Sequence, residues 1–135
     1  MRAIRPDSRR HWGRMSAHQM VCHLSDAFLV ALGEKRASRS INAFTRTVVK
    51  WIALAPLPWP PGFPTRPELD QCRGAGTKPA EFGADVAGLD ALMERFAGHA
   101  SLEHEPHPFF GPMSRADWLR WGYRHVDHHL RQFGA

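Results

Sequence analysis

The closing stretch, residues 114–135, reads SRADWLRWGYRHVDHHLRQFGA and carries the signals of a long helix. Ser114 followed three residues later by Asp117 is a helix start, because hydroxyl and carboxylate each satisfy a backbone donor that the first turn leaves without a partner. No proline follows, and the pattern runs to about Phe133. Turning about 100° per residue, Leu119, Tyr123, Val126, Leu130 and Phe133 make an apolar arc, opposed by Arg120, Arg124, Asp127 and Arg131. The histidines fall between these arcs. His129 lies about 40° from His125 toward the apolar arc, and His128 about 60° away toward the charged one. His125 and His129 are therefore the inward pair, one turn apart, at a spacing that lets one cation take a nitrogen from each.

Two ligands rarely hold a metal, so a third is sought on another helix. Ser16 and Gln19 form a capping box and Gly33 is a natural stop, which predicts a helix from Ala17 to about Leu32. Met20, Val21, Leu24, Phe28 and Ala31 define its apolar side. His23 borders that side, whereas His18 lies on the far one, so His23 is the preferred third ligand. Three imidazoles with a free position suit zinc, nickel, iron or another borderline divalent ion. Asp26 and Gln132, three residues after His23 and His129, are candidates to orient the ligands. His107, His128 and Trp121 are candidates for a loop or pocket contribution, and a fourth ligand from His107 or Glu105 would point to a structural site. Taken alone, the HxxxH pair is better explained by a histidine-rich helix that packs or titrates at the surface, and His23 shifts that balance only modestly toward metal. His11, His99, His104 and His107 have the plainer expectation of a solvated or packing role, and Trp118 and Trp121 of core packing.

Working outward, Ile41, Phe44, Val48 and Ile52 recur on one face of a second helix, Ile41 to about Ala55, which Pro56 ends. Residues 56–77 form a Pro/Gly-rich connection that cannot stay helical. Its Leu57, Trp59 and Phe63 suggest a packed crossover loop. A third helix is expected from Pro79 to Gly98, burying Phe82, Val86, Leu89, Leu92, Met93 and Phe96. Residues 100–113 return to loop. Four helices and almost no strand pattern predict an all-α chain, a four-helix bundle with a long Pro/Gly-rich crossover.

At 135 residues the chain is one domain, 1–135, able to bury roughly two-thirds of its unfolded surface. A net charge of +5 invites a nucleic-acid partner, but the arginines cluster only at Arg2, Arg5, Arg9, Arg10 and Arg14. Residues 1–14 are read as a solvated basic leader, and nucleic acid as a disfavoured partner. Cys22 and Cys72 form no CxxC pair, which fits a reducing cytoplasm. No signal-peptide core is present, and the apolar run from Val48 to Pro61 is broken by Lys50 and prolines, so no membrane association is expected. A homodimer through an exposed apolar face is left open.

At WGRMSAHQMVCHLSDAF (residues 12–28) and HPFFGPMSRADWLRWGYRHVDHHLRQFG (107–134) the chain resembles the DinB/YfiT-like superfamily of metal-binding helical bundles, most closely one of its small uncharacterised bacterial subfamilies. The resemblance covers about a third of the chain. It implies up-down-down-up connectivity and one divalent ion on His23, His125 and His129. It further implies a range of activities: thiol S-transfer with bacillithiol or mycothiol, thiol-dependent maleylpyruvate isomerisation, or no assigned reaction. The expected function is accordingly a metal-dependent transferase or hydrolase acting on a small electrophile, with a low-molecular-weight thiol as candidate cofactor; the alternative is a non-enzymatic metal- or ligand-binding bundle. Between His125 and His129 the HExxH glutamate is missing, so no dedicated general base is identified.

Overall fold

Two capping boxes set the starts of the helices that carry the histidines. Ser16 Oγ accepts from the Gln19 amide at 3.2 Å while the Ser16 amide donates to Gln19 Oε1 at 2.9 Å, and α1 runs Ala17–Ala31. Gly33, at φ +75°, takes the left-handed turn that ends it. Ser114 and Asp117 reciprocate in the same way at the head of α4, Arg115–Gln132. Between these lie α2, the five-residue helix Lys50–Leu54 entered through a π-helical turn over Thr45–Val49, and α3, Phe82–Gly98. The computed structural model describes residues 3–62 and 65–135, so Arg2 and Phe63 lie outside the described residues. The chain is all-α: among the described residues there is no strand, only an isolated bridge between His107 and Gly111. Among the described residues no helix is long and apolar enough to cross a membrane.

α3 starts three residues later than proline preference suggests. Glu81 caps it, accepting from the amides of Gly83 and Ala84 at 2.8 and 2.6 Å, which an acidic side chain at a helix N-terminus does well. Pro79 lies outside. Leu89 and Phe96 are its only fully buried apolar side chains; Phe82, Val86, Leu92 and Met93 are half-buried against the core.

α1 is the central element, packed on both α3 and α4. Met20, Val21, Leu24 and Phe28 are buried on it, and so are His23 and Asp26. α4 buries Trp118, Trp121, Gly122, His125, His129 and Gln132, a stripe of i, i+3/i+4 spacing. This corrects the expected apolar arc. Tyr123 is 69% exposed and Leu119, Val126 and Leu130 are only half-buried, so the histidines occupy the middle of the inward face and not its border. Two imidazoles thus share the buried stripe of α4 with two tryptophans, a glycine and a glutamine.

Gly122 permits the close approach. A Cβ there would stand 2.7 Å from Phe96 Cε1 and 3.3 Å from Phe28 Cε1. Helix propensity favours Gly122→Ala by about 1 kcal/mol, whereas overpacking a rigid aromatic cluster costs about 1–3 kcal/mol. Overpacking is expected to win, and urea denaturation should show Gly122→Ala less stable by about 1 kcal/mol; a stabilised variant would mean the two phenylalanines yield freely.

Three further expectations change. The stripe on the second helix faces outward, with Ile41, Phe44, Val48 and Ile52 all exposed, because α2 meets α4 through other residues: Lys50 Nζ reaches Asp117 Oδ2 at 3.1 Å and the Pro112 carbonyl at 3.2 Å. In the 56–77 connection Leu57 is exposed, while Trp59 is half-buried and donates to the Ala53 carbonyl at 2.8 Å. The leader does more than solvate the N-terminus. Its arginines 5, 9, 10 and 14 are exposed, but Ile4 is buried in the core and the His11 amide donates to the Gln132 carbonyl at 2.7 Å.

Candidate metal centre

His23 comes from the middle of α1, and His125 and His129 from the second half of α4. Their ligand atoms lie within 4.8 Å of one another, forming a buried group that could hold a metal ion. His23 Nε2 is 3.2 Å from His125 Nε2. That separation is what two metal–nitrogen bonds of about 2.1 Å would span at an angle of about 100°.

Hydrogen bonds assign the tautomers. His23 Nδ1–H donates to the Leu69 carbonyl at 2.8 Å, so its Nε2 carries a bare lone pair. Gln132 Nε2 donates to the Trp12 carbonyl at 2.9 Å, which leaves the Gln132 oxygen to accept His129 Nδ1–H at 2.9 Å. His129 Nε2 is thus also bare. His125 Nδ1 is buried with no partner among the described residues. A proton on His125 Nε2 could answer only one of the two lone pairs beside it, whereas a cation answers all three rings together. The donor set therefore fits a metal.

Burial lowers the pKa of all three rings. For His23 the Leu69 carbonyl partly opposes that effect. His125 and His129 are held well below the ordinary value, first by burial and then by neighbouring imidazoles. All three are neutral near pH 7, the form a metal requires.

A cavity of about 160 Å³ adjoins the cluster. Buried His23, His125 and His129 line its inner side, while exposed Ile52, Pro60 and Thr65 lie toward solvent. Trp59, Phe109, Phe110 and Trp121 make apolar walls, and among the described residues no Asp or Glu lines it. His107 and His128 line it too. His107 Nδ1 accepts from the Phe109 and Phe110 amides at 3.2 and 3.3 Å, so the proton of the neutral ring sits on Nε2. Burial, helped by the positive charge of Lys50, pushes the His107 pKa down to about 3. His128 stands between Trp12 and Trp59 and bonds the Trp59 backbone.

The other candidates lie elsewhere. Asp26 does not orient His23; its buried carboxylate accepts from Gln71 Nε2 and Thr77 N at 2.8 Å, from Thr77 Oγ1 at 2.6 Å, and pairs with Lys35 at 2.7 Å. It anchors the segment that follows Leu69. Glu105 approaches Gly33 and does not line the cavity, and neither it nor His107 joins the three-histidine group. His18 donates to Asp85 Oδ2 at 2.6 Å, with Cys22 nearby. There Asp85 also accepts the Ala80 amide, and burial followed by the Asp85 charge pushes the Cys22 thiol up to about 11, leaving it protonated. That group ties α1 to α3. Sequence reasoning missed the Leu69 and Trp12 carbonyls, which no side-chain pattern can reveal, and Arg66, whose place on the cavity wall had no periodic signal.

A family model described as "Protein of unknown function (DUF1569)" matches residues 5–135. The chain belongs to the DUF1569 family. No curated protein and no solved structure matches it. The metal-centre geometry of this DUF1569 chain gives one direct test of tautomer control. Gln132→Leu keeps the shape of the side chain but removes the acceptor for His129, and zinc affinity measured by chelator competition should fall by roughly 10- to 100-fold. An unchanged affinity would assign Gln132 to packing alone.

Proposed function

We propose that this chain is a DinB-like four-helix bundle of up-down-down-up connectivity in which His23, His125 and His129 hold one divalent ion, and that it is an enzyme acting on a small electrophile. The observation that carries this reading is the convergence of three neutral imidazoles, two with tautomers assigned by outer hydrogen bonds, beside a cavity with no fourth ligand in their group. An open position distinguishes catalytic from structural centres. Zinc, nickel and iron(II) all match nitrogen donors of this kind. When bound, such an ion lowers the pKa of a thiol or water and so supplies a nucleophile at neutral pH.

The chain's own residues do the rest. Leu69 and Gln132 keep the ligand lone pairs inward. The aromatic walls exclude water and shape the space for the electrophile. His107 offers a neutral Nε2–H donor, and because its pKa is about 3 it stays a donor without becoming a cation. With no carboxylate on the wall, a proton released in the cavity has only imidazoles to receive it. His128, with its pKa lowered by burial, is the candidate acceptor. Thiol S-transfer suits this equipment, because a low-molecular-weight thiol brings its own nucleophile.

The test is turnover of a panel of small electrophiles by zinc- or nickel-loaded protein with low-molecular-weight thiols, together with the sulfur-to-cobalt charge-transfer band of the cobalt form. A band plus metal-dependent turnover supports the transferase. Metal bound with neither signal would favour a non-enzymatic bundle, to which the absence of a carboxylate base lends some weight.

A further inference from the structure

Among the described residues that line the cavity beside the three histidines, one side chain has a fixed charge, Arg66. Its Cζ stands 4.2 Å over the Phe109 ring centroid, a cation–π placement that holds the guanidinium against an apolar wall. Its Nε and Nη2 are both shut off from water and have no hydrogen-bond partner among the described residues. A guanidinium cannot discharge itself by losing a proton, so two unmet donors are a standing cost in the free protein. Those two nitrogens form one edge of the guanidinium, and once the side chain turns that edge to the cavity it matches the two oxygens of a carboxylate through parallel N–H···O bonds.

We propose that Arg66 anchors the ligand of this cavity, and that the ligand is a small monocarboxylate with an apolar, ring-sized body. The proposal rests on the reading of the cavity as a substrate pocket. Charge sets the anion count: among the described residues Arg66 is the one permanent cation on the wall, the nearby Glu68 carboxylate lies off the wall and is bonded to Ser38, and the lining imidazoles His23, His107, His125, His128 and His129 are neutral. A phosphate monoester, with nearly two negative charges and three acceptor oxygens, exceeds what one guanidinium edge can satisfy. Volume sets the body: about 160 Å³ is close to the roughly 150 Å³ of an apolar cavity known to take up benzene. With its carboxylate on Arg66, the ligand has its body among Trp59, Phe109 and Trp121 and leaves the histidine face free for a thiol or water. Arg66 is thus a specificity-determining residue.

Benzoate, benzamide and phenyl phosphate serve as probes, titrated into the full chain with tryptophan fluorescence as the readout, in EDTA-treated and zinc-loaded forms. The metal-free wild type is expected to bind benzoate at least tenfold more tightly than benzamide, and more tightly than phenyl phosphate. Arg66→Gln should bring benzoate down to the benzamide level, and Arg66→Lys, which keeps the charge without the fork, should fall between. Equal binding of benzoate and benzamide by the metal-free wild type overturns the anchor. So does a benzoate preference that survives Arg66→Gln, or one that appears only with zinc, since the carboxylate would then be going to the metal. Tighter phenyl phosphate overturns the monocarboxylate assignment. The wild-type comparison stands even if a variant fails to fold. Elemental analysis of the zinc-loaded samples separates the two claims: wild type that takes up no zinc on loading yet prefers benzoate sinks the metal reading and leaves Arg66 as the anchor.

Discussion

His129→Ala is expected to abolish stoichiometric metal binding and, with it, the largest single contribution that a ligand can make to the stability of this chain. Gln132 takes Nδ1 of His129, so an ion held by this group would meet His129 through Nε2. With free metal at 1,000 times its dissociation constant, binding to the native state alone adds about 4 kcal/mol. For a domain of this size that corresponds to roughly 12–20 °C in Tm. EDTA should therefore lower the wild-type Tm by about that much and leave His129→Ala unmoved. His23→Ala and His125→Ala should behave alike. His18→Ala is the control, since His18 pairs with Asp85 on the opposite side of α1 and should retain one ion per chain. Elemental analysis across the series decides the matter: a full equivalent of metal surviving all three ligand changes would remove the site.

Acid should unfold the metal-free protein well above the pH at which carboxylates titrate. An unfolded histidine titrates near 6.5, whereas His107 in the fold titrates at about 3. Its folded pKa lies below the unfolded one, so the unfolded chain binds the proton first. Stability is then full above about pH 6.5 and falls by about 1.4 kcal/mol per unit as pH drops toward 3. At pH 5 the His107 share of that loss is about 2 kcal/mol. His23, His125 and His129 shift in the same direction and add to it. Asp85 and Asp117, both held below the ordinary carboxylate value, lose their contribution only in a lower window. Urea midpoints of EDTA-treated protein at pH 7.5 and 5.0 give the measurement. His107→Asn keeps an acceptor near the Phe109 and Phe110 amides and removes the titration, and its loss between the two pH values should be smaller by about 2 kcal/mol. An identical loss in both proteins would show that His107 does not carry the effect. Zinc should move the share of His23, His125 and His129 to lower pH, because each metal-bound imidazole resists protonation, and leave the His107 share in place.

What the linear sequence determined here is local. Ser16 with Gln19 and Ser114 with Asp117 place two helix starts because each cap is completed within one turn of chain, and the spacing of His125 and His129 puts both on one face for the same reason. His23 could be preferred over His18 by its angle to α1's apolar side, which is again a property of a single helix. Tertiary packing decided everything that depends on what stands opposite. The α4 wheel ranked Tyr123 as inward by its chemistry, yet the close approach at Gly122 turned the histidine stripe inward and left Tyr123 in solvent. The second helix has a clear apolar face, but among the described residues no element covers it, so Ile41, Phe44, Val48 and Ile52 are exposed. Asp26 sits one helical turn from His23, as an orienting carboxylate should, but four donors from α1's own end and the following segment claim it first. The groups that orient His23 and Gln132 are main-chain carbonyls at Leu69 and Trp12, distant in sequence and identical in chemistry to every other carbonyl, so only the folded chain could select them.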